Sequence, residues 1–221
     1  LHKMWKLYND PRRRRRLQRY GDEALQKLHE FFSKYNIGYY LDYGTLLGIV
    51  REDGFIKHDD DIDLTIRESS IPPKEMFKVM KKEGFSFCHG FFANGKTIAM
   101  TVYWKTLSID IFFGNVTSEI YDGVESYALY ECYYVPETNY PSPDANNYKS
   151  WFFPMSFKAK KLQFHGYEIC LPDDEELLLE MEYGKNWRTP IKGFVADNDE
   201  FKIRIEDGFA FRTINPDDLP N

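Results

Sequence analysis

Residues 58–64 read His58-Asp59-Asp60-Asp61-Ile62-Asp63-Leu64. Four carboxylates fall within five residues, and the chain then turns apolar. Ile62, Leu64 and Ile66 alternate with Asp61, Asp63 and Thr65, the period-two pattern of a strand. Residues i and i+2 of a strand point the same way, about 6.6 Å apart, so Asp61 and Asp63 share a face. Two carboxylates that close repel, and burying them unpaired is costly. A divalent cation resolves the conflict, and Mg²⁺ is commonly held by one or two carboxylates with water and substrate phosphates. A solvated acidic turn is the plain alternative. An EF-hand calcium loop is excluded, because its sixth and twelfth positions would be Leu64 and Ser70 where Gly and Glu are needed.

Three further features favour the cation. Asp110 is a single carboxylate inside the apolar run Ser108-Ile109-Asp110-Ile111-Phe112. If that strand lies beside the Asp61/Asp63 strand, three carboxylates converge; an edge-strand Asp facing water is the other reading. Gly44-Thr45-Leu46-Leu47-Gly48 follows a strand-like stretch, Ile37 to Tyr43. Glycine allows close backbone approach, and amide groups at a following helix start can hold a phosphate. The run lacks the GK[ST] ending of a P-loop, and a mere turn explains it as well. Arg51 follows, ten residues before Asp61; arginine suits bidentate phosphate contact or a surface ion pair.

The rest of the chain supplies a scaffold. Asp10 and Pro11 read as the N-cap and first residue of a helix, and Leu17 to Tyr35 continues it at spacings of three and four. The Arg12–Arg16 run lies in its first turns, where cations are unfavourable. It is either a solvated face or a contact for phosphate or an anionic membrane. A helix opens at Pro72-Pro73 and closes at Gly84; strands are expected at 85–87, 98–104 and 108–113. The pattern weakens over 114–156, read as a loop-rich insertion with short strands. A hairpin follows, turning near Gly166, then a helix with an acidic start at Pro172–Glu176 and a stop at Tyr183-Gly184. Residues 197–221 read as a polar tail with some strand character.

The length of 221 residues is about 1.5 times a typical domain. One domain over 1–221 is expected, with a core of about 17–113 and 158–192 and an insertion of about 114–157. The net charge of −6 gathers no nucleic acid by bulk electrostatics. The three cysteines, Cys88, Cys132 and Cys170, are odd in number and widely spaced, which points to a reducing, cytoplasmic setting. No apolar run approaches the length of a membrane span, so any membrane association is expected to be peripheral. The chain starts at Leu1 and is expected to be part of a larger multidomain protein.

A strand, a Gly-Thr turn into a short helix, a strand carrying Asp-x-Asp and a strand carrying a third Asp together resemble the nucleotidyltransferase-like fold. More closely, Leu41-Asp42-Tyr43-Gly44-Thr45-Leu46-Leu47-Gly48, Arg51, Gly54-Phe55-Ile56 and Asp59-Asp60-Asp61-Ile62-Asp63 resemble the LicD/fukutin-related phosphotransferase family. Leu171-Pro172, Tyr183-Gly184, Trp187 and Pro190 look like its C-terminal signature. The resemblance covers about residues 17–192, with nothing recognised over 114–157. Lys57-His58 departs from the family's usual Pro followed by Trp or His.

The resemblance implies an α+β fold, a mixed sheet flanked by helices with a C-terminal hairpin and helix. It implies a phosphotransferase that moves ribitol phosphate, glycerol phosphate or phosphocholine from a CDP-linked donor to a sugar hydroxyl of a glycan, releasing CMP. Asp61, Asp63 and Asp110 would be catalytic and would hold Mg²⁺ or Mn²⁺, with Asp110 either a ligand or the base for the acceptor hydroxyl. Gly44, Thr45, Arg51, Asp59 and His58 would bind substrate; Asp42 is a turn residue or lines the site. A choline donor calls for an aromatic cage, for which Tyr130, Tyr133, Tyr134, Trp151 and Phe152 are available. The rivals are a nucleotidyltransferase that releases pyrophosphate and a glycan-binding module without chemistry.

Overall fold

The computed structural model describes residues 11–93, 95–121, 124–133, 145–153, 158–191 and 203–220. Asp10 and Tyr134 lie outside them. Helix α1, Pro11–Lys34, buries Leu17, Ala24, Leu25, Leu28, Phe31 and Phe32, the stripe its three-and-four spacing dictates. Strand β1 is Gly38–Leu41. It is shorter than the alternating run suggests, because Asp42 turns the chain and helix α2, Tyr43–Glu52, begins at once. Strand β2, Asp61–Glu68, follows, then helix α3, Pro73–Lys82. Strands β3 (Phe85–Ala93), β4 (Lys96–Trp104) and β5 (Leu107–Phe113) form a meander.

The stretch expected as a loop-rich insertion with short strands carries three strands that join the main sheet: β6 (Asn115–Tyr121), β7 (Val124–Tyr133) and β8 (Ala145–Phe153). Strands β9 (Ala159–Phe164) and β10 (Tyr167–Pro172) make the expected hairpin. His165 and Gly166, at its turn, both take positive φ, 45° and 89°, as a tight two-residue hairpin requires. Helix α4, Glu175–Tyr183, is capped by Asp174, whose side chain accepts from the Leu177 N–H, and is closed by Gly184. The polar tail contains strand β11, Ile203–Thr213, inside the sheet. Its alternation of Ile and Phe with charged residues conceals an element paired on both edges.

The sheet is mixed, in the order β1-β2-β5-β4-β3-β11-β8-β7-β6. Among the described residues only β2 and β5 run parallel; the other neighbouring strands of this sheet pair antiparallel. One hydrophobic core joins α1, α2, α3 and α4 to the β1–β5 part of the sheet and to the β9–β10 hairpin. No helix among the described residues is long and apolar enough to cross a membrane.

Candidate active site

The polar centre is built at the start of β2. Ile62 and Leu64 are fully buried on one face, which turns Asp61 and Asp63 to the other. Strand β5 repeats this, with Ile109 and Ile111 fully buried and Asp110 between them. Parallel pairing sets Asp63 opposite Asp110, so the condition that brings three carboxylates together is met. The row continues across the sheet, from Asp110 to Thr101 on β4 and from Thr101 to His89 on β3.

That row is hydrogen-bonded. The Thr101 hydroxyl donates to Asp110 Oδ1 at 2.6 Å, and its oxygen lies 3.2 Å from His89 Nε2. With the hydroxyl proton spent on Asp110, the second contact requires the proton on Nε2. His89 Nδ1 lies 3.2 Å from the Cys88 thiol. Burial, with the charge of Arg212, lowers the His89 pKa to about 4, so the imidazole is neutral at pH 7.

Helix α2 closes the centre from one side. Asp42, 1% exposed, accepts from the Tyr43 N–H at 3.0 Å and from the Thr65 hydroxyl at 2.5 Å. It is the N-cap of α2, and its charge also acts on Asp63. Thr45 is also buried, and its Oγ1 accepts the Asp63 N–H at 2.9 Å. Thr45, expected to bind substrate, holds the backbone of Asp63 through this bond. The two glycines admit the acidic loop. A Cβ on Gly48 would stand 2.6 Å from the Gly54 carbonyl, and one on Gly44 would stand 2.5 Å from Asp59 Oδ2. The Asp59 carboxylate therefore rests on the first turn of α2, where the helix dipole favours an anion.

Asp59, Asp60 and Asp61 can each present a carboxylate oxygen within 4.8 Å of the others, a group able to hold a metal ion. An all-oxygen set of this kind suits Mg²⁺ or Mn²⁺. Burial, then the charges of Asp110, Asp59 and Asp60, push Asp61 well above the usual carboxylate range. Burial, then Asp61 and Asp110, do the same to Asp63. Burial raises Asp59 and Asp110 as well. Arg13 of α1 faces this group, with Nε 3.0 Å from Asp60 Oδ2 and Nη2 3.7 Å from Asp61 Oδ2. Tyr183, at the end of α4, borders the centre: burial and the charges of Glu182, Asp63, Asp59 and Asp42 raise its pKa.

Arg51 and His58 are the other two residues outside the acidic loop expected to bind substrate. Arg51 donates to the Trp187 carbonyl at 3.2 Å and pairs with Glu52 at 2.7 Å, tying the end of α2 to the segment after α4. His58 is exposed on the loop before Asp59. The side chains of Tyr130, Tyr133, Trp151 and Phe152, considered for a choline cage, fall outside the described ones. Asp60, Thr101, Arg13 and Tyr183 were not singled out as site residues. Asp60 was in view within the acidic run, and Thr101 was signalled by being polar inside the apolar run 98–104.

A family profile described as LicD/FKTN/FKRP, nucleotidyltransferase domain, matches residues 36–174. An uncharacterized protein of Caenorhabditis elegans is 26% identical over 176 residues, 76% of this chain and 43% of that protein. Uncharacterized proteins of Rickettsia typhi and Rickettsia prowazekii are 37% and 35% identical over 68 and 65 residues, covering 30% and 29% of this chain and 22% and 24% of theirs. The chain thus spans less than half the length of these curated relatives.

Proposed function

We propose, for a chain that belongs to the LicD/FKTN/FKRP nucleotidyltransferase-domain family, a metal-dependent transfer of a phospho-alcohol from a CDP-linked donor to a sugar hydroxyl of a glycan. Membership carries the coarser statement, a phosphotransferase-type modification of glycans. The observation that supports the finer one is the register of Asp63 with Asp110 beside the Asp59–Asp61 loop. Buried carboxylates so crowded are stable together only with added positive charge.

In this reading the acceptor hydroxyl oxygen attacks the phosphorus that bears the alcohol. The bond from that phosphorus to the bridging oxygen breaks, and CMP leaves with the electron pair. Asp61 and Asp63, with Asp59, Asp60 or Asp110 beside them, would hold Mg²⁺ or Mn²⁺, which supplies neutralising charge to the donor's pyrophosphate. Asp110 keeps Oδ1 on Thr101 and offers Oδ2, either as a ligand or as acceptor of the hydroxyl proton. The backbone at Gly44 orients phosphate at the start of α2. Thr45 and Arg51 act from behind, on Asp63 and on Trp187.

The test is product release. The protein is incubated with Mg²⁺ and, separately, CDP-ribitol, CDP-glycerol or CDP-choline, with a glycan acceptor. Metal-dependent CMP from one donor, lost in Asp61→Asn, establishes the reaction and names the alcohol. Pyrophosphate from CTP and an acceptor would instead assign nucleotidyl transfer. No product from any nucleotide would assign glycan binding without chemistry.

A further inference from the structure

Arginines 12–16 occupy the first turns of α1, the helix end at which cations are unfavourable. The first turn itself contains no acidic residue. The docking of α1 does not require Arg13. The first buried residue of the helix is Leu17, a full turn later, and Leu25, Leu28 and Phe32, all within 1% of full burial, carry the packing. Arg13 nevertheless reaches into the acidic centre, with its side chain 26% exposed against 8% for Asp60 and 19% for Asp61. Its guanidinium spans two carboxylates, one of them Asp61.

We propose that Arg13 is the donor-positioning residue of this centre: it balances Asp60 and Asp61 while no divalent cation is bound, and turns to the donor's pyrophosphate when one is. This rests on the reading above of a metal-assisted transfer from a nucleoside-diphosphate-linked donor. The planar fork that fits a carboxylate also fits a phosphate, so one side chain serves both states. A divalent cation beside Asp61 competes with the guanidinium for the same negative charge. At about 6 Å, a single and a double positive charge repel by about tenfold in affinity even with the screening of water. A pyrophosphate reverses the sign, because it attracts both cations. Arg13 therefore opposes the bare metal and favours the metal with donor, a coupling that is reciprocal between the two ligands. It lies outside the segment 36–174 that the family profile matches, so this chain's own N-terminal helix supplies the contact.

The experiment measures Mn²⁺ binding to the 221-residue chain by the loss of the free-ion EPR signal, then CDP binding at saturating Mn²⁺. It compares the unaltered protein with Arg13→Gln, Arg13→Lys and Arg15→Gln. Arg13→Gln is expected to bind Mn²⁺ about tenfold more tightly and CDP at least about tenfold more weakly. Arg13→Lys keeps the charge and loses the fork, so Mn²⁺ affinity stays while CDP weakens. Arg15→Gln removes the same charge two residues away and leaves both affinities unchanged. Arg13 variants that match the unaltered protein in both affinities would overturn the proposal and leave the transferase reading standing. An unaltered protein that binds neither Mn²⁺ nor CDP would overturn both.

Discussion

Gly44 and Asp59 are in direct apposition: a Cβ at Gly44 would lie 2.5 Å from Asp59 Oδ2. The missing side chain is what lets the acidic loop close on α2. Alanine favours a helix over glycine by about 1 kcal/mol, so Gly44→Ala separates two effects. The substitution is expected to change the melting temperature by a few degrees at most, while displacing Asp59 and weakening Mn²⁺ binding by about tenfold or more. Paired calorimetric and EPR titrations would check this; tight metal binding in the variant would show that Asp59 takes no part.

Asp61→Asn and Asp63→Asn each remove one charge from a group whose members raise one another's pKa. Both variants are expected to lose CMP release by at least about a hundredfold. In EDTA both should melt higher than the unaltered protein, since the repulsion is relieved. A lower melting temperature in EDTA for both would mean that these carboxylates support the fold.

The pH dependence follows from two opposing sets of groups. Asp59, Asp61, Asp63 and Asp110 have raised pKa values in the folded state. They hold protons there that the unfolded chain has released, so their favourable contribution exists at low pH and is lost as pH rises through the raised values. His89, lowered to about 4, resists a proton that the unfolded chain takes below about 6.5. Its contribution is lost as pH falls from about 6.5 towards 4. The four carboxylates outweigh the single histidine, so metal-free protein is expected to lose stability as pH rises above the ordinary carboxylate range, with Mg²⁺ restoring stability at the alkaline end. Melting curves from pH 4 to 8 with EDTA or Mg²⁺ would show it; a metal-free optimum at pH 8 would contradict it.

Thr101 links Asp110 to His89. Thr101→Val keeps the shape and removes the hydroxyl, leaving a buried carboxylate oxygen and an imidazole N–H without that partner, a loss of about 1–3 kcal/mol. Turnover should fall about tenfold and recover in Thr101→Ser. The partner variant, Asp110→Asn, separates the roles left open for Asp110. Lost Mn²⁺ affinity marks a ligand, whereas retained affinity with lost turnover marks the base.

The carboxylates were legible because a strand's alternation is strict: Ile62 and Leu64 point inward, so Asp61 and Asp63 cannot. Asp110 showed itself the same way. The glycines were legible only as permission for a close approach, and the structure identifies what approaches, Asp59 at Gly44 and the Gly54 carbonyl at Gly48. The placement of Thr45 and Arg51 could not be read, since local pattern does not say which polar side chain faces a neighbouring element. Strand β11 was legible only as some strand character in a polar tail, for a related reason. A segment with Arg204, Glu206 and Asp207 looks solvated until its partners, separated from it by 50 to more than 100 residues, are known.

Strand β11 meets β3 through Phe211, Arg212 and Thr213, and meets β8 through residues from Ile203 to Phe211. It is thus the splice between the half of the sheet that bears the carboxylates and the β8-β7-β6 half. Every other strand of the described residues precedes it in the chain. During synthesis the acidic centre can be assembled while β6, β7 and β8 still lack their ladder to it. The two halves become one sheet only after β11 leaves the ribosome.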